Sequence, residues 1–170
     1  PIDKNFMYET YILKELIPYI DASYNTNNSK EFRAITGLSM GGHGAFYLAI
    51  RHPELFAAAG SMSGALDIRP FSKEWNISDR IGKFKKFPDN WHANTITNMV
   101  AQIKMSNIKL IFDCGKDDFF FDVNNIFHKK LLYNDIEHIY NIKDGKHNWE
   151  YWNISIFEHL NFFNNLFKNQ

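Results

Sequence analysis

The sequence contains almost no cysteine and no excess of either charge. Cys114 is the one cysteine among 170 residues, so no disulfide can form within the chain, and the cysteine content indicates no particular compartment. Because 19 Lys and Arg balance 19 Asp and Glu, no overall field favours a nucleic acid or an anionic membrane surface. We therefore expect neither of these partners.

Long apolar runs and ligand-binding signatures are missing as well. No apolar run approaches the roughly 20 residues that a membrane span requires, so no membrane partner is expected. The phosphate-binding pattern Gly-x-x-x-x-Gly-Lys does not occur, and the seven histidines do not have the spacing of metal ligands. The sequence therefore predicts no cofactor and no metal.

What is present is the composition and the pattern of one globular domain spanning residues 1–170. Apolar residues make up 45% of the chain and charged residues 22%, which is ordinary for such a domain. Apolar periodicity predicts strands at 31–38, 56–62, 108–113 and 137–142, and helices at 6–20, 41–51, 95–104, 122–133 and from 149 onward. Pro18 is expected to mark the approach of the end of the first helix. The last helix carries one apolar stripe, formed by Trp149, Trp152, Ile156, Leu160, Phe163 and Phe167. This stripe is expected to pack onto the sheet; a groove for a cofactor or a partner is the alternative.

Strands that alternate with helices predict an α/β fold, with a mostly parallel sheet covered by helices on both faces. Residues 64–107 fit this alternation poorly, so they are expected to form an excursion between two strands that shapes the pocket. Trp75 and Trp91 lie in this excursion, where packing within the loop is the favoured role; stacking on a sugar or an aromatic acid is the alternative.

The segment 34–44 contains the pattern Gly-x-Ser-x-Gly, as Gly37, Ser39 and Gly41, between a predicted strand and a predicted helix. This context is the one in which the motif forms a nucleophile elbow. The turn is so sharp that Ser39 must adopt a strained backbone, and side chains two residues before or after it are expected to collide. The N–H of Met40 then lies at a helix N-terminus, where it can stabilise an oxyanion.

A serine hydroxyl needs a neighbouring base, and in this kind of fold the partners follow in the order Ser, Asp or Glu, His. Asp118 follows the strand predicted at 108–113, and it is favoured over Asp117 and Asp113 as the residue that orients the base. His147 lies on the loop between the last strand and the last helix, so it is the predicted base. Among the other histidines, topology alone does not exclude His92.

Three motifs together resemble one family of esterases. They are Thr36-Gly-Leu-Ser-Met-Gly-Gly-His-Gly-Ala, Cys114-Gly-Lys-Asp-Asp-Phe and His147-Asn-Trp-Glu-Tyr-Trp. They are similar to those of the esterase D, S-formylglutathione hydrolase and tributyrin esterase group of the α/β-hydrolases. That group is related to the feruloyl and acetylxylan esterases of carbohydrate esterase family 1. The resemblance implies the α/β-hydrolase fold.

The same resemblance implies that several strands normally precede the first helix of this chain. One of those strands leads to the loop that donates a second oxyanion N–H, and no such loop is found here. We therefore expect the chain to be the C-terminal part of a longer domain, lacking its N-terminal strands and exposing a sheet edge. Such an edge can pair with another copy, which leaves a homo-oligomer open.

The predicted function is a serine esterase that hydrolyses small-molecule or carbohydrate-linked esters through an acyl-enzyme. An acyltransferase with the same triad and a non-catalytic binding module that retains the fold are the alternatives. A polysaccharide esterase would be secreted or periplasmic and an S-formylglutathione hydrolase cytoplasmic, so the compartment stays undetermined.

Overall fold

The structure is a computed structural model that describes residues 7–169, and within them it contains one sheet of four parallel strands. The spatial order of the strands follows their order in the chain. They are β1 (Ala34–Leu38), β2 (Ala58–Met62), β3 (Lys109–Gly115) and β4 (Ile139–Lys143). The parallel sheet of the predicted α/β fold is thus confirmed.

Helices cover both faces of the sheet. They are α1 (Tyr8–Thr10), α2 (Ile17–Ser23), α3 (Met40–Arg51), α4 (Ile77–Ile81), α5 (Pro88–Ala93), α6 (Val100–Ser106), α7 (Phe121–Tyr133) and α8 (Trp149–Lys168). Because successive strand residues face opposite sides, Phe112 packs with apolar residues of α3, α6 and α7, whereas Ile111 packs with Phe163 of α8. Helix α8 therefore covers one face, and the other helices of the core cover the opposite face.

The first helical region runs further than predicted. The start predicted at residue 6 lies outside the described residues, and the helix continues from α1 through a π-helical segment, Tyr11–Leu16, into α2. Pro18 lies inside it rather than near its end. In the π segment Ile17 donates its N–H to the carbonyl of Ile12, five residues back. A proline ring crowds the preceding turn and lacks an N–H, so the wider turn explains why the helix continues.

Strand β1 starts later than predicted and lies at an edge of the sheet. Residues Lys30–Phe32 form a 3₁₀ turn, and the strand begins at Ala34 with all of its residues only half-buried. Among residues 7–169 no strand pairs with its outer side. A groove of about 670 Å³ follows this open edge and is lined by residues that include Ile17, Leu160 and Phe163.

Two other predictions need correction in detail. The helix predicted at 95–104 is a 3₁₀ turn, Ile96–Asn98, followed by α6, and both lie between β2 and β3 in the chain. The apolar stripe of α8 is only partly buried, because Trp149 and Leu160 are exposed. Leu160 lines the groove beside β1, where the sheet ends. Along the described chain, no helix has the length and apolar character needed to cross a membrane.

Candidate active site

The three predicted catalytic residues follow three different strands at the same edge of the sheet. Ser39 follows β1, Asp118 follows β3 and His147 follows β4. Because the strands are parallel, their carboxyl ends lie side by side, which is where functional groups gather in open α/β sheets. The structure thus brings together residues that are separated by 79 and 29 positions in the chain.

The turn between β1 and α3 has the strained geometry that the motif predicts. Ser39 has a φ of 55° and a ψ of −116°, a conformation that residues with a Cβ rarely adopt. The Ser39 N–H donates to the carbonyl of Met62 at 2.8 Å, and the Ser39 carbonyl accepts from His43 N–H at 3.1 Å. The strained residue is therefore held by both the neighbouring strand and the helix.

The two glycines of the motif have different reasons to be glycine. A Cβ on Gly37 would lie 2.5 Å from the backbone carbon and oxygen of Gly41, so a side chain there is excluded. A Cβ on Gly41 would have no atom within 4 Å. The predicted collision is therefore correct for Gly37 and wrong for Gly41, because only at Gly37 would an added Cβ point into the turn.

Met40 is the first residue of α3. The N–H of a first helical residue has no acceptor within its own helix, and the positive end of the helix dipole lies at the same place. The Met40 side chain is largely exposed. The N–H that follows Ser39 is therefore placed where an oxygen anion bound to the serine could be stabilised.

Hydrogen bonds join the three side chains in series. Nε2 of His147 lies 2.9 Å from Oγ of Ser39, and Nδ1 of His147 donates to Oδ2 of Asp118 at 2.8 Å. The other carboxylate oxygen of Asp118 accepts from the N–H of Phe120 at 2.8 Å. Both Asp118 oxygens are thus engaged. Asp117, the neighbouring candidate, is exposed.

Aromatic rings surround the imidazole of His147. Its centroid is 4.3 Å from the ring of Phe119, 5.3 Å from that of Phe120 and 4.8 Å from that of Trp152. The Phe120 and Trp152 contacts are edge-to-face, which is a favourable aromatic geometry. These contacts restrict the rotation of the ring and help to keep both nitrogens directed at their partners.

A cysteine lies next to the site but is unsuited to act as a nucleophile. Cys114 is fully buried in β3. Burial raises the pKa of its thiol far above the ordinary value, and the carboxylates of Asp118 and Asp113 raise it further. Since the thiolate is the reactive form of cysteine, Ser39 is the better candidate in this region.

Sequence reasoning missed a second Asp–His pair and did not distinguish the two tryptophans of the excursion. Asp113 accepts from Nε2 of His159 at 2.7 Å beneath α8, and both side chains are buried. Trp91 is fully buried and donates its Nε1–H to the Gly82 carbonyl, so it packs within the excursion and is unavailable for stacking on a ligand. Trp75, by contrast, is half-exposed. No pattern in the sequence separates these two tryptophans.

The sequence model of the Esterase family, described as "Putative esterase", matches residues 3–163. The chain belongs to this esterase family. Among residues 7–169, no group of three or more His, Cys, Asp or Glu side chains is placed to hold a metal ion.

Individual esterases show the same relationship. An acetyl esterase of Caldicellulosiruptor saccharolyticus is 25% identical, over 89% of this chain and 61% of that protein. The S-formylglutathione hydrolase of Mus musculus is 28% identical over 71% of this chain and 41% of its own length. A solved ferulic acid esterase superposes with a TM-score of 0.77 at 29% identity, over 94% of this chain and 61% of that one. The similarity confirms the resemblance to this group and the α/β-hydrolase fold. The chain spans about three-fifths or less of the length of these relatives.

Proposed function

We propose that this chain is a serine esterase that hydrolyses carboxylic esters, with Ser39 as nucleophile, His147 as base and Asp118 as the residue that orients the base. The proposal depends on one observation above all, the continuous hydrogen bonds from Ser39 Oγ through the imidazole to Asp118. Membership of the esterase family supports the same reaction.

In the first half of the reaction, Ser39 Oγ forms a bond to the ester carbonyl carbon while its proton passes to Nε2 of His147. The carbonyl oxygen becomes negative and accepts a hydrogen bond from the N–H of Met40. The carbon–oxygen bond to the alcohol then breaks, and Nε2 returns the proton to the departing oxygen. Asp118 stabilises the imidazolium between these transfers. The product is an alcohol and an acyl-serine.

In the second half, water gives a proton to His147 as its oxygen bonds to the acyl carbon. Collapse of this second intermediate releases the carboxylic acid and returns the proton to Ser39. An alcohol in place of water would give acyl transfer by the same steps, so the acceptor decides between hydrolase and transferase. The names of the acetyl esterase and ferulic acid esterase relatives support acyl groups that range from small to aromatic.

Labelling with a fluorophosphonate probe tests the proposal directly. The probe should modify the 170-residue chain at Ser39, as mapped by mass spectrometry, and the Ser39→Ala variant should remain unlabelled. Labelling that persists in the variant, or a folded wild-type chain that resists the probe, would contradict the proposed nucleophile. A folded chain that resists the probe but binds esters would favour the binding module.

Product analysis then separates hydrolysis from transfer. With p-nitrophenyl acetate and an added alcohol such as 1-propanol, a hydrolase releases acetate, whereas a transferase produces propyl acetate. We expect acetate to be the main product.

A further inference from the structure

Two half-exposed aromatic side chains lie side by side next to the candidate active site. Trp75 and Phe119 are each 53% exposed. Their ring centroids are 5.9 Å apart, with 31° between the ring planes. Phe119 follows Asp118 directly, and its ring is the one nearest the His147 imidazole, at 4.3 Å. They form a small apolar surface, here called the aromatic platform, beside the reacting groups.

Two further rings support the platform and keep it in place. Phe120 is almost fully buried and lies 5.6 Å from Trp75 and 4.6 Å from Phe119. Phe71 is half-buried and lies 5.7 Å from Trp75 and 6.5 Å from Phe119. Because packed neighbours restrict their rotamers, the two exposed rings are preorganised, and a ligand that stacks on them loses little binding free energy in ordering them.

The backbone at Trp75 is unusual for so large a residue. Trp75 has a φ of 49° and Asn76 a φ of 55°, and the N–H of Ile77 donates to the carbonyl of Glu74 at 3.2 Å to close the turn. Glycine and asparagine suit two successive positive φ values, whereas a bulky residue is strained there. Backbone stability therefore does not explain the presence of a tryptophan at position 75.

We propose, on the basis of the esterase function above, that the aromatic platform binds the alcohol portion of the ester and selects leaving groups that carry a flat ring. His147 must return its proton to the departing oxygen, so that oxygen lies within hydrogen-bonding distance of Nε2. The alcohol portion is thus held beside the imidazole, where Phe119 lies. The ring can be aromatic or the apolar face of a pyranose, since both stack on exposed aromatic side chains.

Matched acetate esters test this selection. Benzyl acetate is compared with cyclohexylmethyl acetate, which is similar in size but not flat. Methyl 6-O-acetylglucopyranoside is compared with glyceryl monoacetate, which is polar but has no ring. For each pair the ratio of kcat/KM values is measured in wild type and in Trp75→Ala, Phe119→Ala and Trp75→Tyr. Phe157→Ala, which removes another exposed aromatic side chain from the outer part of α8, is the control.

We expect Trp75→Ala and Phe119→Ala to lower at least one of the two ratios about threefold to tenfold, the range of a single aromatic contact. Trp75→Tyr should retain most of the preference, and Phe157→Ala should leave it unchanged. A loss in the benzyl pair identifies an aromatic alcohol, and a loss in the sugar pair a carbohydrate. Unchanged ratios in both pairs would overturn the proposal. A third pair, methyl phenylacetate and methyl cyclohexylacetate, carries the ring in the acyl group. A loss confined to this third pair would also overturn the proposal, because the platform would then bind the acyl group.

A binding measurement keeps this test independent of turnover. Benzyl alcohol and methyl glucopyranoside are titrated into the Ser39→Ala protein, with and without Trp75→Ala, and followed by ligand-observed NMR. Weaker binding of either ligand without Trp75 supports the platform even if no ester is hydrolysed. Equal binding with and without Trp75 would overturn the platform. The fluorophosphonate labelling of Ser39 in the wild-type chain would still support the proposed nucleophile.

Discussion

Within residues 7–169, two Asp–His pairs share a strand, β3, and differ in their access to solvent. In the first, Asp118 follows the strand and binds His147, whose side chain is 15% exposed. In the second, Asp113 lies within the strand and binds His159 of α8, with side-chain exposures of 1% and 0%. Each pair has a serine nearby: Ser39 at His147, and Ser155 bound to Asp113 at 2.5 Å.

The two pairs differ in the group that the second imidazole nitrogen contacts and in the surroundings of that group. Nε2 of His147 points at a serine on a strained turn beside a free helix N-terminus. The second nitrogen of His159, Nδ1, lies 2.8 Å from Oγ1 of Thr36 in β1, and no ester can reach it through the sheet and the helix. The same residue types therefore form the candidate active site in one place and a cross-link between α8 and two strands in the other.

Loss of His147 is expected to have the largest effect on activity. With His147→Ala, Ser39 has no base, so kcat should fall by roughly 10⁴- to 10⁶-fold. The free energy of unfolding should change much less. Initial-rate assays with a p-nitrophenyl ester, together with urea unfolding, measure both quantities. If His147→Ala keeps one-tenth of the wild-type kcat, His147 is not the base, and the two Asp–His pairs do not differ in a catalytic role.

Asp118→Asn should have the second-largest effect on activity, a loss in kcat of up to roughly 10⁴-fold, because an amide favours the wrong imidazole tautomer. Asp117→Asn is the matched control, since Asp117 is exposed and adjacent, and it should remain near wild type. The opposite result, an inactive Asp117→Asn and an active Asp118→Asn, would show that the orienting acid is misassigned. Steady-state kinetics of the two purified variants decide between these outcomes.

The buried pair should matter for stability. His159→Ala leaves the Asp113 carboxylate buried without its imidazole partner, and breaking a buried pair in this way costs roughly 3–5 kcal/mol. Urea unfolding at neutral pH measures the loss. His92→Ala, which removes an exposed histidine, should change stability by only about 0.5 kcal/mol or less. Equal losses in the two variants would contradict the cross-linking role.

The smallest effect is expected at the glycine that makes room for the buried pair. A Cβ on Gly60 would lie 2.3 Å from Nδ1 of His159 and 2.6 Å from Oγ1 of Thr36. Gly60→Ala should therefore destabilise the fold by about 1–3 kcal/mol through overpacking.

Gly44→Ala is the control for that glycine. It lies inside α3 with nothing within 4 Å of the added methyl group, and it should be stabilising by roughly 0.5–1 kcal/mol. Thermal unfolding of both variants shows whether the signs differ. If Gly60→Ala leaves the thermal stability unchanged, His159 can move aside to make room for the added methyl group.

The pairing of Asp118 with His147 could be predicted from sequence, and the pairing of Asp113 with His159 could not. Asp118 and His147 stand on loops after apolar strands, in the chain order that follows a Gly-x-Ser-x-Gly turn, so local pattern and order were sufficient. Asp113 and His159 lie within a strand and a helix, where the pattern only indicates a regular element. The apolar stripe placed Trp149 and Leu160 in the core, whereas His159 is buried and both of those residues are exposed.

The sequence by itself determined the strand–helix alternation, the strained serine turn and the order of the three site residues. These features depend on interactions within a few residues of each other, together with the rule that parallel strands align their carboxyl ends. The tertiary structure alone decided which tryptophan stays exposed, which glycine of the turn is sterically required and which histidine is buried. Those outcomes depend on atoms that are distant in sequence and meet only when the sheet and α8 pack together.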